Sequence, residues 1–139
     1  MTRIMGLDVG DKTIGVALSD PMFLIANPLE TIKRKKASLD IKRLVEIINE
    51  NDVETIVVGL PKNMNNSIGP QSMKVMSFVD LLKKQTDKEI IYQDERMTTL
   101  QSERVLIDMD VRRENRKEHI DKIAASFILQ TYLDRRKNG

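Results

Sequence analysis

The sequence contains no cysteine and no tryptophan, and aromatic residues make up only 4% of the chain. The absence of cysteine excludes disulfide bonds and thiolate metal sites, and it fits a reducing cytoplasm. With so few aromatic rings, base stacking cannot be the main means of holding a single-stranded nucleic acid. Any contact with nucleic acid is therefore expected to go to the phosphate backbone.

The chain also lacks an apolar run of about 18 residues, which a membrane-spanning helix needs. Its first residues enter a strand pattern directly, without the basic and apolar segments of a secretion signal. We therefore expect a cytoplasmic protein without membrane contact. The 139 residues are enough for a hydrophobic core, and we expect residues 1–139 to form one domain.

Charge is balanced overall but unevenly distributed along the chain. The formal net charge is +2, and residues 110–139 contain eight Lys and Arg against five Asp and Glu. A second basic run, Lys-Arg-Lys-Lys, occupies residues 33–36. Basic runs are either solvated loops or phosphate-binding patches, and the sequence leaves both interpretations open here.

Hydrophobic periodicity predicts the element order β-β-β-α-β-α-β-α-α. Strands at about residues 4–9, 14–19 and 23–32 have short connections, which favours an antiparallel meander, and Pro28 places the third strand at an edge. Strands at residues 53–59 and 89–93 alternate with helices, so they should run parallel to each other and to the first strand. The prediction is an α/β fold with a mixed five-stranded sheet and helices on both faces.

The helices carry end signals of varying strength. Ser38 is a plausible N-cap for the first helix, and Pro70 suits the first turn of the second, whose apolar face includes Met73. A capping box predicts a third helix over about residues 99–107. The last helix, near residues 116–134, is expected to bury Ile120, Ile123, Ala124, Phe127, Ile128 and Thr131.

One acidic residue, Asp8, lies inside the apolar first strand. An ionised carboxylate in a core costs on the order of several kcal/mol unless a cation compensates it, so a nearby metal ion or bound phosphate is the usual solution. Gly10 and Gly15 flank the turn that follows and leave room for a ligand to approach the backbone. Asp8 could instead have a structural role in capping the turn.

Two further carboxylates share this kind of position. Glu95 follows the last strand, and Asp121 lies at the edge of the apolar stripe of the last helix. Ligands of open α/β sheets bind beyond the carboxyl ends of the strands. Carboxylates gathered there repel one another unless Mg²⁺ or Mn²⁺ holds them, a combination that suits two-metal phosphodiester hydrolysis.

Each of these two residues can also be explained without a functional role. Glu95 could pair with Arg96, and Asp121 could lie near the helix start because the dipole favours it there. His119, the only histidine, is more typical of a solvated residue than of a base or a ligand.

Four motifs in order resemble the YqgF/RuvX family, which is related to the RuvC Holliday junction resolvases. The resemblance spans nearly the whole chain and implies an RNase H-like fold, with Asp8, Glu95 and Asp121 as the acidic metal-binding and catalytic residues. After Asn63-Met64 the family often has Asp-Gly, whereas this chain has Asn65-Asn66. The motifs are residues 6–17 with Ser19-Asp20, Val58-Gly59-Leu60-Pro61 with Asn63-Met64, Asp94-Glu95-Arg96-Met97-Thr98-Thr99, and Asp121-Lys122-Ile123-Ala124-Ala125.

The resemblance implies a Mg²⁺- or Mn²⁺-dependent endonuclease acting on structured nucleic acid. Processing of the 5′ end of pre-16S rRNA in ribosome biogenesis is the favoured function. Holliday junction resolution in DNA repair and a non-catalytic nucleic-acid-binding module are the alternatives. The sequence allows either a monomer or a homodimer.

A further rival rests on the spacing of Asp8, Gly10 and Gly15. The same spacing occurs in the first phosphate motif of actin-like and sugar-kinase ATPases. Those enzymes hold the nucleotide between two such domains, and this chain is long enough for only one.

Basic residues near the acidic ones are candidates for holding a phosphodiester backbone. Arg112, Arg113, Arg116 and Lys117 cluster just before the predicted last helix and at its start, and Lys117 comes about one turn before Asp121. Lys12 in the first hairpin turn and Arg96 beside Glu95 are expected to add contacts from the other side. The alternative is that the basic run before the last helix is a solvated segment.

Overall fold

The structure, a computed structural model, describes residues 1–61, 69–94 and 113–138, with the side chains of the last helix described over residues 122–136. The predicted helix at residues 99–107 lies outside these ranges. In chain order the elements are β1 (Arg3–Val9), β2 (Thr13–Ser19), β3 (Ala26–Lys33), α1 (Ala37–Glu50), β4 (Val53–Leu60), α2 (Pro70–Lys83), β5 (Glu89–Asp94) and α3 (Arg113–Asn138).

The five strands form one mixed sheet in the order β3-β2-β1-β4-β5. The pairs β1–β2 and β2–β3 are antiparallel, and the pairs β1–β4 and β4–β5 are parallel. This confirms the predicted meander followed by parallel strands. Strand β3, which contains Pro28, lies at one edge, where a missing N–H donor does not interrupt a central ladder.

Helices cover both faces of the sheet, as predicted, and alternate residues of the strands supply two cores. Met5, Leu7 and Val9 of β1 pack in the larger core with α1 and α2. Ile4 of β1, together with Val57 of β4, packs in the smaller core with α3. We call these two sides of the sheet the α1/α2 face and the α3 face. Within the described ranges, no helix is both long and apolar enough to span a membrane.

The two helices of the α1/α2 face differ from the prediction in detail. Helix α1 begins at Ala37 with Lys36 at the N-cap and no side-chain cap, so the prediction of Ser38 as the cap was wrong. Instead, the Asp40 carboxylate accepts a hydrogen bond from the Lys35 backbone N–H at 3.1 Å and closes the turn. Helix α2 begins at Pro70 as predicted, but Met73 is 62% exposed. The residues that this helix buries are Ser72, Val75, Phe78, Val79 and Leu82.

Helix α3 packs against β1 with almost no space between the two backbones. A Cβ atom placed on Gly6 would lie 2.8 Å from the Leu129 Cβ and 2.9 Å from the Ala125 carbonyl oxygen. The helix therefore presents Ala125 and Leu129 to the sheet, and both are fully buried. Thr131 is exposed, contrary to the prediction that the helix would bury it, because this contact fixes the rotation of α3.

The connection between β2 and β3 fixes the other end of α3. Backbone N–H groups of Ile25, Leu24 and Met22 donate to the Asp20 carboxylate at 2.8, 2.7 and 3.1 Å, and they lower the pKa of that carboxyl. The Gln130 side chain of α3 then accepts from the Ala26 N–H at 2.9 Å and donates to the Leu24 carbonyl at 3.0 Å. These bonds attach the second half of α3 to the start of β3.

The Gly6→Ala variant should be less stable than the wild type by about 1–3 kcal/mol, because its methyl group would overlap the Leu129 Cβ and a backbone oxygen, neither of which can move aside easily. Urea unfolding measures the loss. At Gly10 the nearest atom to an added Cβ, the Thr13 carbonyl oxygen, is 3.1 Å away, so Gly10→Ala should cost less. Equal losses at the two positions would contradict a tight α3–β1 contact.

Candidate active site

Asp8 lies near the carboxyl end of β1, on the α3 face, and is half-buried. Its orientation follows from strand alternation, because Leu7 and Val9 belong to the core of the opposite face. It shares the α3 face with Gly6, where the last helix is closest to the sheet. The side chain that the sequence singled out therefore lies on the side of the sheet that α3 covers.

The strands next to Asp8 have no side chain at its level. On β2 the partner of Asp8 is Gly15. On β4 the register Leu7–Val58, continued by one residue, brings Gly59 level with Asp8. Asp8 is thus the only side chain across three adjacent strands in this row, and the sheet surface beside its carboxylate is formed by backbone.

The β1–β2 turn next to Asp8 is tight. The Gly10 N–H donates to the Thr13 carbonyl at 2.8 Å, which leaves Asp11 and Lys12 as the loop residues. Both loop side chains are exposed, and the Asp11 carboxylate is 3.4 Å from the Lys74 Nζ of α2. Lys12 is therefore on the surface near Asp8, as the prediction of a phosphate contact requires.

Arg34 holds this turn in place from the α1/α2 side. Its Nη1 donates to the Gly10 carbonyl at 2.8 Å, and its Nε donates to the Asp40 carboxylate at 3.3 Å. Its guanidinium also lies over the Phe78 ring of α2, 4.9 Å from the ring centre. Arg34 is thus neither a solvated nor a phosphate-binding member of the basic run. It connects the turn after Asp8 to both helices of that face.

The carboxyl ends of β1, β4 and β5 meet at the same edge of the sheet. Leu60 at the end of β4 pairs with Asp94 at the end of β5. Glu95 is the next residue in the sequence after this end, but Glu95, Arg96 and Arg112 lie outside the described residues. Their predicted roles stay predictions.

Helix α3 brings residue 121 to the same end of the sheet as Asp8. Gln130 is bonded to Ala26 near the amino end of β1, and Ala125 contacts Gly6 further along that strand. The helix backbone therefore runs toward the carboxyl end of β1 as the residue number falls. Four helical residues advance about 6 Å and two strand residues about 6.7 Å, so residue 121 lies further toward this end of the sheet than Ala125 does.

Several predicted side chains of α3 are outside the description even though the helix backbone is described. This holds for the Asp121 carboxylate, for His119 and for the basic side chains. Their positions along the helix follow from the backbone, and their contacts stay predictions. The basic residues concerned are Arg113, Arg116 and Lys117.

The donor chemistry of the chain fits a hard divalent cation. Because the sequence has no cysteine and one histidine, a metal site in this chain would use mainly oxygen ligands. Carboxylate oxygen suits Mg²⁺ and Mn²⁺. Asp8 provides one such carboxylate, half-buried and flanked by glycines. Among the described residues no three acidic or histidine side chains lie together, and two of the three predicted ligands are not among those side chains.

Sequence reasoning missed one polar residue near Asp8. Gln93 of β5 pairs with Gly59 and so lies in the same row as Asp8, two strands away. It is 5% exposed. A glutamine between strand residues gives no sequence signal of its own, because only the sheet order shows that its row contains Asp8.

Comparison with known protein families gives one match across nearly the whole chain. The family model RuvX, described as Holliday junction resolvase, matches residues 2–135. Curated relatives named "Putative pre-16S rRNA nuclease" include one from Thermoanaerobacter pseudethanolicus, 58% identical over 98% of this chain and 99% of the relative. Another, from Clostridium tetani, is 55% identical over 95% of this chain and 96% of the relative.

Solved structures confirm the RNase H-like fold. Thermus thermophilus RuvC in complex with a Holliday junction substrate superposes with a TM-score of 0.63 at 14% identity, over 99% of this chain and 97% of that one. The fowlpox virus resolvase, also with junction DNA, superposes with a TM-score of 0.57 at 16% identity, over 97% and 99% of the two chains. At such identities the likeness concerns the fold alone.

Replacing Arg34 with Met should lower the free energy of unfolding by roughly 2–3 kcal/mol, because the Asp40 carboxylate, only 3% exposed, loses its guanidinium partner. The loss should be smaller than the roughly 3–5 kcal/mol of a fully buried pair, since the Arg34 side chain is 24% exposed. Urea unfolding measures it.

The matched control is Lys36→Met in the same basic run, an exposed residue that should change stability by less than about 0.5 kcal/mol. Adding Asp40→Asn to Arg34→Met should recover part of the loss, because the uncompensated charge is gone. Similar effects of Arg34→Met and Lys36→Met would mean that Arg34 is as solvated as its neighbours.

Proposed function

Because this chain belongs to the RuvX family, we propose that it is a metal-dependent endonuclease that processes the 5′ end of pre-16S rRNA. The observation that carries the proposal is the position of Asp8. It is a half-buried carboxylate at the carboxyl end of the central strand, under the last helix, with glycine on either side. Glycine on both neighbouring strands allows a ligand to approach the backbone beside this carboxylate, which favours a ligand-binding role over a purely structural one.

In this proposal Asp8, Glu95 and Asp121 hold Mg²⁺ or Mn²⁺ together. When bound, the metal supplies an activated water and stabilises the leaving oxygen of a phosphodiester. The chain itself contributes geometry. Asp8 is fixed by a central strand, and the turn after it is held by Arg34. The packing of α3 on Gly6 directs the helix backbone toward the end of β1 where Asp8 lies, which supports including Asp121 in the site.

Precursor rRNA is the favoured substrate because relatives that match this chain over nearly their whole length are named "Putative pre-16S rRNA nuclease". Two relatives with this name are 55% and 58% identical to this chain, over 96% and 99% of their own length. The structures bound to Holliday junctions share only 14–16% identity. A four-way DNA junction is the second candidate, since the family description names that activity.

The basic residues near the site would hold the phosphate backbone. Lys12 is exposed in the turn two residues after Gly10, on one side of Asp8. Three further basic residues are in the first turns of α3, ahead of residue 121 on the same helix: Arg113, Arg116 and Lys117. Arg96 and Arg112 complete the proposed set. Positive charge on both sides of the carboxylates would guide a polyanion across them.

Asp8→Asn should abolish cleavage while the protein stays folded, because it removes one ligand charge and nearly preserves the side-chain shape. The assay incubates wild type and variant, with Mg²⁺ and with Mn²⁺, on a precursor 16S rRNA fragment and on a synthetic four-way junction. Circular dichroism checks the fold. Cleavage of the junction alone would favour the second candidate.

The matched control is Asp11→Asn, three residues away, whose carboxylate is exposed and lies near only one surface lysine among the described contacts. It should cleave like the wild type. Equal cleavage by wild type and Asp8→Asn would indicate a contaminating nuclease. Binding without cleavage by the wild type on both substrates would favour the non-catalytic module.

The double variant Arg112→Ala/Arg113→Ala should bind nucleic acid more weakly without moving the cleavage position. Each phosphate contact contributes a slope of about −0.7 to −0.9 to the logarithm of affinity against the logarithm of salt concentration. The variant should therefore show a shallower slope, measured by fluorescence anisotropy in Ca²⁺ to prevent turnover.

The control Lys83→Ala/Lys84→Ala removes the same charge at the end of α2, on the opposite side of the sheet. Its slope should equal that of the wild type. If the arginine variant also keeps the wild-type slope, those residues are solvated and do not contact phosphate.

A further inference from the structure

Gln93 is a buried polar residue whose amide has an unused donor. The residue is 5% exposed, and its Nε2 has no hydrogen-bond partner among the residues that the structure describes. Most buried polar groups in folded proteins are bonded, because a donor removed from water without a partner costs free energy. A hydrophobic side chain in this position would avoid that cost.

The side chain of Gln93 is on the α3 face of the sheet, with Asp8. The alternate residues of β5, Ile90 and Tyr92, pack against the core of the opposite face. Gln93 pairs with Gly59, which is level with Asp8. Strands are about 4.8 Å apart, so the Cα atoms of Gln93 and Asp8 are about 10 Å apart with only a glycine between them.

The strand between the amide and the carboxylate contributes no side chain to this row. Both side chains rise from the same face, and Gly59 adds nothing between them. A neutral amide donor suits an anionic oxygen there, because a hydrogen bond to a charged acceptor is stronger than one between neutral groups. Unlike Lys or Arg, it would not form an ion pair with the carboxylates that the metal needs.

We propose that the Gln93 amide is a positioning contact of the loaded nuclease site, in which Nε2–H donates to an anionic oxygen held above Gly59. The oxygen comes either from the substrate phosphodiester or from one of the carboxylates proposed to bind the metal. The inference rests on the proposed function. The unused donor in the free protein is then a cost in stability that binding recovers.

The test compares Gln93→Met with wild type, since methionine has a similar length and no donor. Thermal unfolding of the metal-free protein should show a melting temperature equal to or above that of the wild type. Cleavage of the precursor rRNA fragment in Mn²⁺ should fall about 10- to 100-fold, the range expected for losing one hydrogen bond to a charged group. Gln93→Glu keeps the side-chain shape but adds a negative charge to the row that contains Asp8. Its cleavage rate should be lower still.

Two binding measurements distinguish the sources of the oxygen. If it belongs to the substrate, Gln93→Met weakens rRNA binding in Ca²⁺ but leaves the Mn²⁺-induced rise in melting temperature unchanged. If it belongs to a site carboxylate, the Mn²⁺-induced rise itself becomes smaller. Either result supports the role of Gln93.

Gln130→Met is the matched control, because the same change there removes hydrogen bonds to Ala26 and Leu24. It should lower the melting temperature of the metal-free protein, which Gln93→Met should not do. The inference is overturned if Gln93→Met behaves like Gln130→Met, or if it cleaves at the wild-type rate. A wild type that cleaves neither rRNA nor junction in any metal would instead remove the proposed function, and the role of Gln93 with it.

Discussion

The close contact between α3 and β1 at Gly6 is the constraint on which the rest of the site depends. Glycine lets the helix come so near the sheet that an added Cβ would overlap both a side chain and a backbone oxygen. The contact sets the rotation of α3, and the bonds of Gln130 set its position along the sheet. Together they direct the first half of the helix toward the end of β1 where Asp8 lies.

Around Asp8 the structure is defined as much by missing side chains as by those present. Gly15 and Gly59 place no side chain in this row on either neighbouring strand, and Gln93 is the next side chain in the row on the β5 side. A half-buried carboxylate flanked by glycine and a buried amide donor in the same row suit a small, charged, oxygen-rich ligand. Filling the row with apolar side chains would give a better core and no site, which is a common exchange of stability for function.

Arg34 illustrates how a charge can be misjudged from its neighbours in the chain. Within the basic run it has the same sequence signal as the lysines beside it. In the structure its guanidinium meets the Gly10 carbonyl, the Asp40 carboxylate and the Phe78 ring, which come from the first turn and from two helices. Its planar, multiply donating group suits such a junction better than a lysine ammonium would.

The sequence by itself determined the element order, the strand directions and the two helical layers, and it singled out Asp8 as a candidate site residue. These follow from local signals: alternation within strands, short connections between the first three, and one carboxylate inside an apolar run. Only the tertiary structure decided which face of α3 points inward, so that Leu129 is buried and Thr131 is exposed. It also decided the partners of Arg34 and the row of the sheet that contains both Gln93 and Asp8. Each of these depends on residues far apart in the chain that meet only when sheet and helices pack, and periodicity along one element contains no information about its neighbours.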